Sequence, residues 1–110
     1  MVKINLKPLS VNAAYRGRRY RTNDYIEYER TLMYLLPKME LPPPPFEIYF
    51  KFGFSSLASD WDNCIKTTQD IISKKYGFND RLIIRGVVET EQVSRGQEYF
   101  IFEIKRFERN

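Results

Sequence analysis

Phe46, Ile48, Phe50, Phe52 and Phe54 fall on every second residue, with Glu47, Tyr49 and Lys51 between them. Successive strand side chains point to opposite faces, so this run predicts a strand with one buried face. Residues 2–7 alternate Val2, Ile4 and Leu6 against Lys3, Asn5 and Lys7, predicting a first strand. Tyr25, Tyr28, Leu32, Leu35 and Leu36 recur at helical spacing. Asn23 or Asp24 is the expected cap of that helix, Asp24 and Glu27 have capping-box spacing, and Pro37 is the stop. Trp61, Ile65, Thr68, Ile72 and Tyr76 mark the inner stripe of a second helix, with Gly77 as its C-cap. Leu82-Ile83-Ile84, continuing to Val87-Val88, is apolar on both faces and predicts a central strand. Ser94-Arg95-Gly96-Gln97 turns the chain. Phe100, Phe102 and Ile104 then alternate with Ile101, Glu103 and Lys105 in a last strand, the expected hairpin partner of the one before. The order β-α-β-α-β-β predicts an α+β fold, a mixed four-stranded sheet with two packed helices.

A chain of 110 residues is one domain's worth, so residues 1–110 are expected to fold as a single unit. A chain this long buries roughly 65% of the surface it exposes unfolded, enough for a core without staples. Hydrophobic residues at 43% and charged residues at 29% argue against disorder. Four consecutive prolines at 42–45 favour an extended link between the first helix and the alternating strand, or a segment that recruits a proline-binding partner. Nothing near 18 consecutive apolar residues occurs, and residues 1–7 lack a signal-peptide core, so a cytoplasmic protein without membrane contact is expected.

Composition removes several chemistries. With no histidine, imidazole-ligated zinc, Ser-His-Asp triads and histidine bases are excluded. With one cysteine, Cys64, no internal disulfide or cysteine-rich cluster forms. Eighteen Lys and Arg against fourteen Asp and Glu leave a net charge of +4, which suits a polyanionic partner or a plain basic protein. The distribution is more telling. Arg16, Arg18, Arg19 and Arg21 crowd together, interleaved with Tyr15 and Tyr20. Guanidinium forks grip phosphate and tyrosine rings stack on bases, so this stretch is either a DNA contact or a solvated loop. Lys74 and Lys75 read as the favourable last turn of a helix.

The remaining chemistry lies in Ser59-Asp60-Trp61-Asp62-Asn63-Cys64-Ile65-Lys66, with Asn79-Asp80-Arg81 downstream. Asp60 and Asp62 point to one side if the chain is extended there. Asp62 or Asn63 is placed to open the second helix, and Lys66 stands one turn beyond Asp62. If the following strand pairs beside the preceding one, Asp80 comes near the Asp60 end. Three carboxylates and an ammonium would then converge, an arrangement costly without a cation. Oxygen ligands without His or Cys favour Mg²⁺ or Mn²⁺ over zinc. The functional reading is phosphodiester hydrolysis by a metal-activated water, with Lys66 neutralising charge at the phosphate. The bland reading makes Asp60 and Asp62 loop and cap residues, Lys66 an ion-pair partner of Asp62 or Asp70, and Asp80 a turn residue. Trp61 is either core packing or a surface for stacking on DNA.

The run Asp60 to Lys66 has the form D-x-D-N-x-x-K, followed by Gly77-Phe78 and Asp80-Arg81-Leu82-Ile83. It resembles the RusA family of Holliday-junction resolvases, crossover junction endodeoxyribonucleases of phages and prophages. The opening Pro8-Leu9-Ser10-Val11-Asn12-Ala13-Ala14-Tyr15 is similar to the family's Pro-Ser-x-Asn-x-x-Tyr, and residues 22–28 sit where the family begins its first helix. The resemblance implies a homodimer that binds a four-way DNA junction in a bacterial cell and makes paired, symmetric nicks with Mg²⁺. It implies Asp60, Asp62 and Asp80 as metal ligands, Lys66 as the catalytic lysine and Asn63 as a shaper of the helix start. Arg16, Arg18, Arg19, Arg21 and Arg81 are the candidate DNA contacts. The chain departs from the family at Ser59, where a basic residue is common, and at Asn79, where members often carry an acid. These departures motivate an alternative, a junction-binding protein with a decayed site.

Overall fold

A computed structural model of the chain describes residues 1–16, 20–56, 61–62 and 64–109, with the backbone alone at 12, 15, 16 and 20. The alternating phenylalanines do form a strand, β4 (Phe46–Phe54), and it lies inside the sheet rather than at a rim. The other sheet strands are β1 (Val2–Ile4), β5 (Ile83–Gln92) and β6 (Tyr99–Arg106), and the four run in the order β1-β6-β4-β5. Two helices complete the α+β plan, α2 (Asn23–Leu35) and α3 (Ile65–Tyr76). The loop between the first strand and α2 contains a short helix α1 (Val11–Ala14) and a small hairpin of β2 (Tyr15–Arg16) and β3 (Tyr20–Arg21), none of which the hydrophobic pattern signalled. The sheet is mixed: β6 is antiparallel to β4 and β1, and β5 is parallel to β4.

Phe46, Ile48, Phe50 and Phe52 of β4 and Phe100 and Phe102 of β6 face the helices and are buried. Their rings meet in a continuous layer, Phe50 on Phe52 at 5.3 Å, Phe52 on Phe100 at 6.1 Å and Phe100 on Phe102 at 6.1 Å between centroids. Each fully buried aromatic contributes about 1.5–3 kcal/mol of transfer free energy, so this layer dominates the core. Tyr25, Tyr28, Leu32 and Leu36 of α2, with Ile71 and Ile72 of α3, close over it. On the opposite face Tyr99 lies across Gly53, where an added Cβ would run into its ring.

Three expectations about strands and helix starts are corrected. The last two strands are not a hairpin, because β4 lies between β5 and β6. The turn after β5 crosses the end of β4, where the Val93 N–H donates to the Phe54 carbonyl at 2.8 Å. Nor is β5 central: it is an edge strand, with Ile84 51% exposed and Arg85, Gly86, Glu89 and Thr90 in solvent. Its apolar residues serve a parallel crossover onto one neighbour, not burial on two sides. Trp61 is 60% exposed and precedes α3 rather than lining it, since the helix begins at Ile65.

The helix stripes otherwise follow the periodicity, except that Leu35 is 40% exposed at the frayed end of α2. The cap of α2 is Thr22, not Asn23 or Asp24: its Oγ1 accepts from the Tyr25 N–H at 3.2 Å and donates to the Ala13 carbonyl at 2.6 Å. Leu36, extended at ψ 126°, ends the helix ahead of Pro37, as a residue before proline must. Gly77 closes α3 with φ 71°, a left-handed conformation that glycine adopts without strain. Residues 42–45 do link α2 to β4, but the chain bends through 43–45 rather than running extended. Among the described residues, no helix is long and apolar enough to cross a membrane.

Candidate functional site

The face of α3 turned away from the phenylalanine layer carries Lys66 and Asp70. Four contacts set the helix's register against α2. Tyr28 and Thr68 share a buried hydroxyl hydrogen bond of 2.9 Å. Lys74 Nζ donates to Glu29 Oε1 at 3.1 Å, Lys75 Nζ to the Met33 carbonyl at 3.0 Å, and the Tyr76 hydroxyl to the Pro37 carbonyl at 2.6 Å. At the other end Thr67 Oγ1 donates to the Leu9 carbonyl at 2.6 Å and anchors the N-terminal loop. These fixings bring α2 alongside α3, with the start of α2 beside the first half of α3.

Lys66 projects from the first turn of α3, and its Nζ lies 3.6 Å from Asp70 Oδ2, one turn on. Burial pushes the Asp70 carboxyl above the ordinary carboxylate range. The neighbouring Lys66 ammonium opposes that shift, the Asp80 charge reinforces it, and Arg21 lowers it again. Asp70 therefore senses Lys66, Asp80 and Arg21, which come from three separate elements. Arg21 also lies over the Tyr25 ring at 5.0 Å and 3.9 Å from Glu29 Oε2. Glu29 joins it to Lys74, so one charged surface runs from Lys66 to the last turn of α3.

Asp80 opens a single 3₁₀ turn (Asp80–Leu82) ahead of β5. Asn79 caps that turn, its Oδ1 accepting from the Arg81 N–H at 3.0 Å. This function explains a side-chain oxygen at 79 but does not need asparagine over aspartate, because both cap well. Arg81 is exposed beside Asp80. Although β5 does pair beside β4, it pairs in parallel, with Ile83 opposite Phe46. Asp80 thus arrives where β4 begins, at the end of the sheet away from Phe54 and the following loop. Its described acidic neighbour is Asp70, partway along α3.

Asp62 stands exposed before α3, and its carbonyl accepts from the Ile65 N–H at 3.3 Å. It does not figure among the charges that shift Asp70. The helix start is Cys64, not Asp62 or Asn63, and Cys64 makes no side-chain cap. Burial pushes its thiol up to about 12, so it stays protonated at neutral pH. Asp60, Asn63, Ser59, Arg18 and Arg19 lie outside the described residues, as does the side chain of Arg16. Among the described residues, no group of three acidic or cysteine side chains is arranged to hold a metal ion. A cleft of about 240 Å³ opens between the N-terminal loop, the end of β4 and Cys64, lined by Lys7, Ser10, Ser55 and Glu98 among others.

Sequence reasoning treated Asp70 only as a possible partner of Lys66. The available signal was the spacing of four between Lys66 and Asp70, one turn apart on a helix. A scan of the chain against protein-family models finds no match, and a search of curated proteins finds no similar sequence.

Proposed function

We propose that the chain is a Mg²⁺-dependent, structure-selective DNA endonuclease that cuts four-way junctions, a resolvase of the RusA kind. The observation that carries this reading is the convergence of Lys66, Asp70, Asp80 and Arg21 on one surface, in a chain whose D-x-D-N-x-x-K run leads into the same helix. Asp70 and Asp80 already have Lys66 and Arg21 beside them, so the need for an added cation comes from the further carboxylates of the D-x-D run. All the donors are hard oxygens, which fits Mg²⁺ or Mn²⁺. Asp62, with Asp60 from the adjoining loop, would hold the ion, and when bound it would supply an activated water and neutralise the scissile phosphate, while Asp80 stands at the other end of the sheet within one copy.

The chain's own groups have distinct tasks in this reading. Lys66 places an ammonium where negative charge builds on the phosphate. Asp70 holds that ammonium in position from one turn away. Arg21, stacked on Tyr25, presents a guanidinium fork to the DNA backbone, joined by Arg16, Arg18, Arg19 and Arg81. Exposed Trp61 offers a ring for stacking on unpaired bases at the branch. Two copies related by a two-fold axis would cut two opposed strands, and the setting would be the cytoplasm of a phage-bearing bacterial cell.

A nicking assay on a synthetic four-way junction, with Mg²⁺ and with EDTA, tests the reading. Symmetric nicks that vanish in EDTA and in Asp62→Asn are expected, while junction binding persists. Binding should weaken with salt, log K falling by about 0.9 per neutralised phosphate. The second reading, a junction-binding protein without catalysis, is favoured by the tie of Lys66 to Asp70 and by a neutral, capping Asn79. Tight junction binding without cleavage in Mg²⁺ or Mn²⁺ would establish it.

A further inference from the structure

Glu29 of α2 is held between two cations from different elements. Its Oε2 lies 3.9 Å from Arg21 Nη1 in β3, and its Oε1 accepts from Lys74 Nζ at 3.1 Å in the last turn of α3. The carboxylate is the sheltered member of the three: its side chain is 22% exposed, against 54% for Arg21 and 56% for Lys74. Both cations thus stand out past the acid that joins them. Their positions are set by other contacts as well. The Arg21 guanidinium lies over the Tyr25 ring at 5.0 Å. The spacing of α2 from α3 is fixed by the Tyr28–Thr68 hydroxyl pair and by Lys75 on the Met33 carbonyl. A helix end explains a lysine at 74, but not its carboxylate on the neighbouring helix. Exposed ion pairs add little to stability, so the trio is a poor device for holding the fold together.

We propose that Arg21 and Lys74 form a seat for one DNA backbone phosphate, and that the Glu29 carboxylate holds that phosphate's place until DNA arrives. Guanidinium and ammonium groups take a carboxylate and a phosphate through the same charge-assisted hydrogen bonds. Glu29 presents one oxygen to each cation, as two oxygens of a phosphate would. The Arg21 contact, at 3.9 Å, is an ion pair without a hydrogen bond, so it gives way readily to a better-placed anion. Lys74 follows Lys66 by eight residues on α3, which sets the seat roughly 12 Å along the helix from that ammonium. A strand advances by about 3.4 Å per phosphate, so about three to four nucleotides reach from Lys66 to the seat. Glu29 then acts as a brake. It lowers the affinity for DNA without removing a phosphate contact, because the incoming phosphate takes over the two cations. This inference rests on the DNA partner proposed above and not on the cutting chemistry.

The test is the salt dependence of binding to a synthetic four-way junction in EDTA, read by fluorescence anisotropy, with circular dichroism to confirm folding. Lys74→Gln should weaken binding about five- to tenfold near 0.1 M salt and make the slope of log K on log salt shallower by about 0.9, the loss of one phosphate contact. Glu29→Gln keeps the side-chain shape and removes the charge. It should tighten binding about two- to fivefold with the slope unchanged, because the same phosphates are neutralised. Glu27→Gln is the control: it removes an exposed charge from the same helix that joins no ion pair among the described residues, and it should gain less than about twofold. In a Lys74→Gln background the gain from Glu29→Gln should fall to that control level. Glu29→Gln binding no tighter than Glu27→Gln, Lys74→Gln with an unaltered slope, or a gain undiminished without Lys74 would each overturn the seat and leave the DNA reading standing. A chain that binds no junction at low salt would overturn both.

Discussion

The two long helices begin in opposite ways. At α2, Thr22 caps the first turn and at the same time bonds back to Ala13, so its hydroxyl is fully committed to structure. At α3 the start falls on Cys64, which caps nothing, although the preceding segment carries the best capping residue types in the chain. Asp62 is exposed, and Lys66 and Asp70 follow it at spacings of four. The first start is built for stability. The second leaves Asp62 and Lys66 exposed, with Asp70 half-buried one turn on, a poor use of acids for folding.

The largest effect that would sharpen this contrast lies in activity. Lys66→Met should slow junction nicking by about a hundredfold, as loss of one charge-stabilising group does, while the fold and its melting temperature change little. Full activity in that variant, measured with Mg²⁺ in excess, would remove the function assigned to the α3 start. Next comes stability at the other helix. Thr22→Ala should cost about 1 kcal/mol in urea unfolding. A neutral result would break the comparison from the α2 side.

Asp70→Asn tests the middle of the site. Burial raises the folded carboxyl's pKa above its unfolded value, so the ionised group opposes folding at neutral pH and ceases to do so as pH falls through the folded pKa. The variant should therefore melt slightly higher at pH 7, by less than about 1 kcal/mol, and show no gain at pH 3. With Asp70 kept, Asp80→Asn should lower the Asp70 titration followed by carboxyl NMR. Smallest of all, Asp62→Asn should leave stability within about 0.5 kcal/mol, since the exposed side chain does not cap the helix. A loss of 1 kcal/mol there would show that the α3 start is structural after all.

Local periodicity made much of the fold legible. The β4 phenylalanines and the Tyr25, Tyr28, Leu32 stripe declare their elements because burial on one face imposes a period of two or of 3.6. What local pattern does not carry is which strand lies beside which. Residues 82–88 are apolar enough for a central strand, yet their neighbour is set by the crossover through α3, a long-range pairing that leaves β5 at the rim. Trp61 misled for a related reason, since it keeps helical spacing with Ile65 although the helix starts after it. At the site, Lys66 and Arg21 were legible as charged residues in telling company. Asp70 gained importance only from packing, which half-buries its carboxyl and brings Asp80 and Arg21 to it from other elements.

Cys64 is the chain's only thiol, and it is buried where α3 begins. The sulfur is buried at the wall of the cleft beside the N-terminal loop, so an alkylating reagent reacts with it as that cleft and the first turn of the helix open and the thiol regains its ordinary acidity. The rate at which the native molecule takes up one label thus counts the openings of this region. Junction DNA gripping the same turn would register as a slower uptake, with no probe added to the chain.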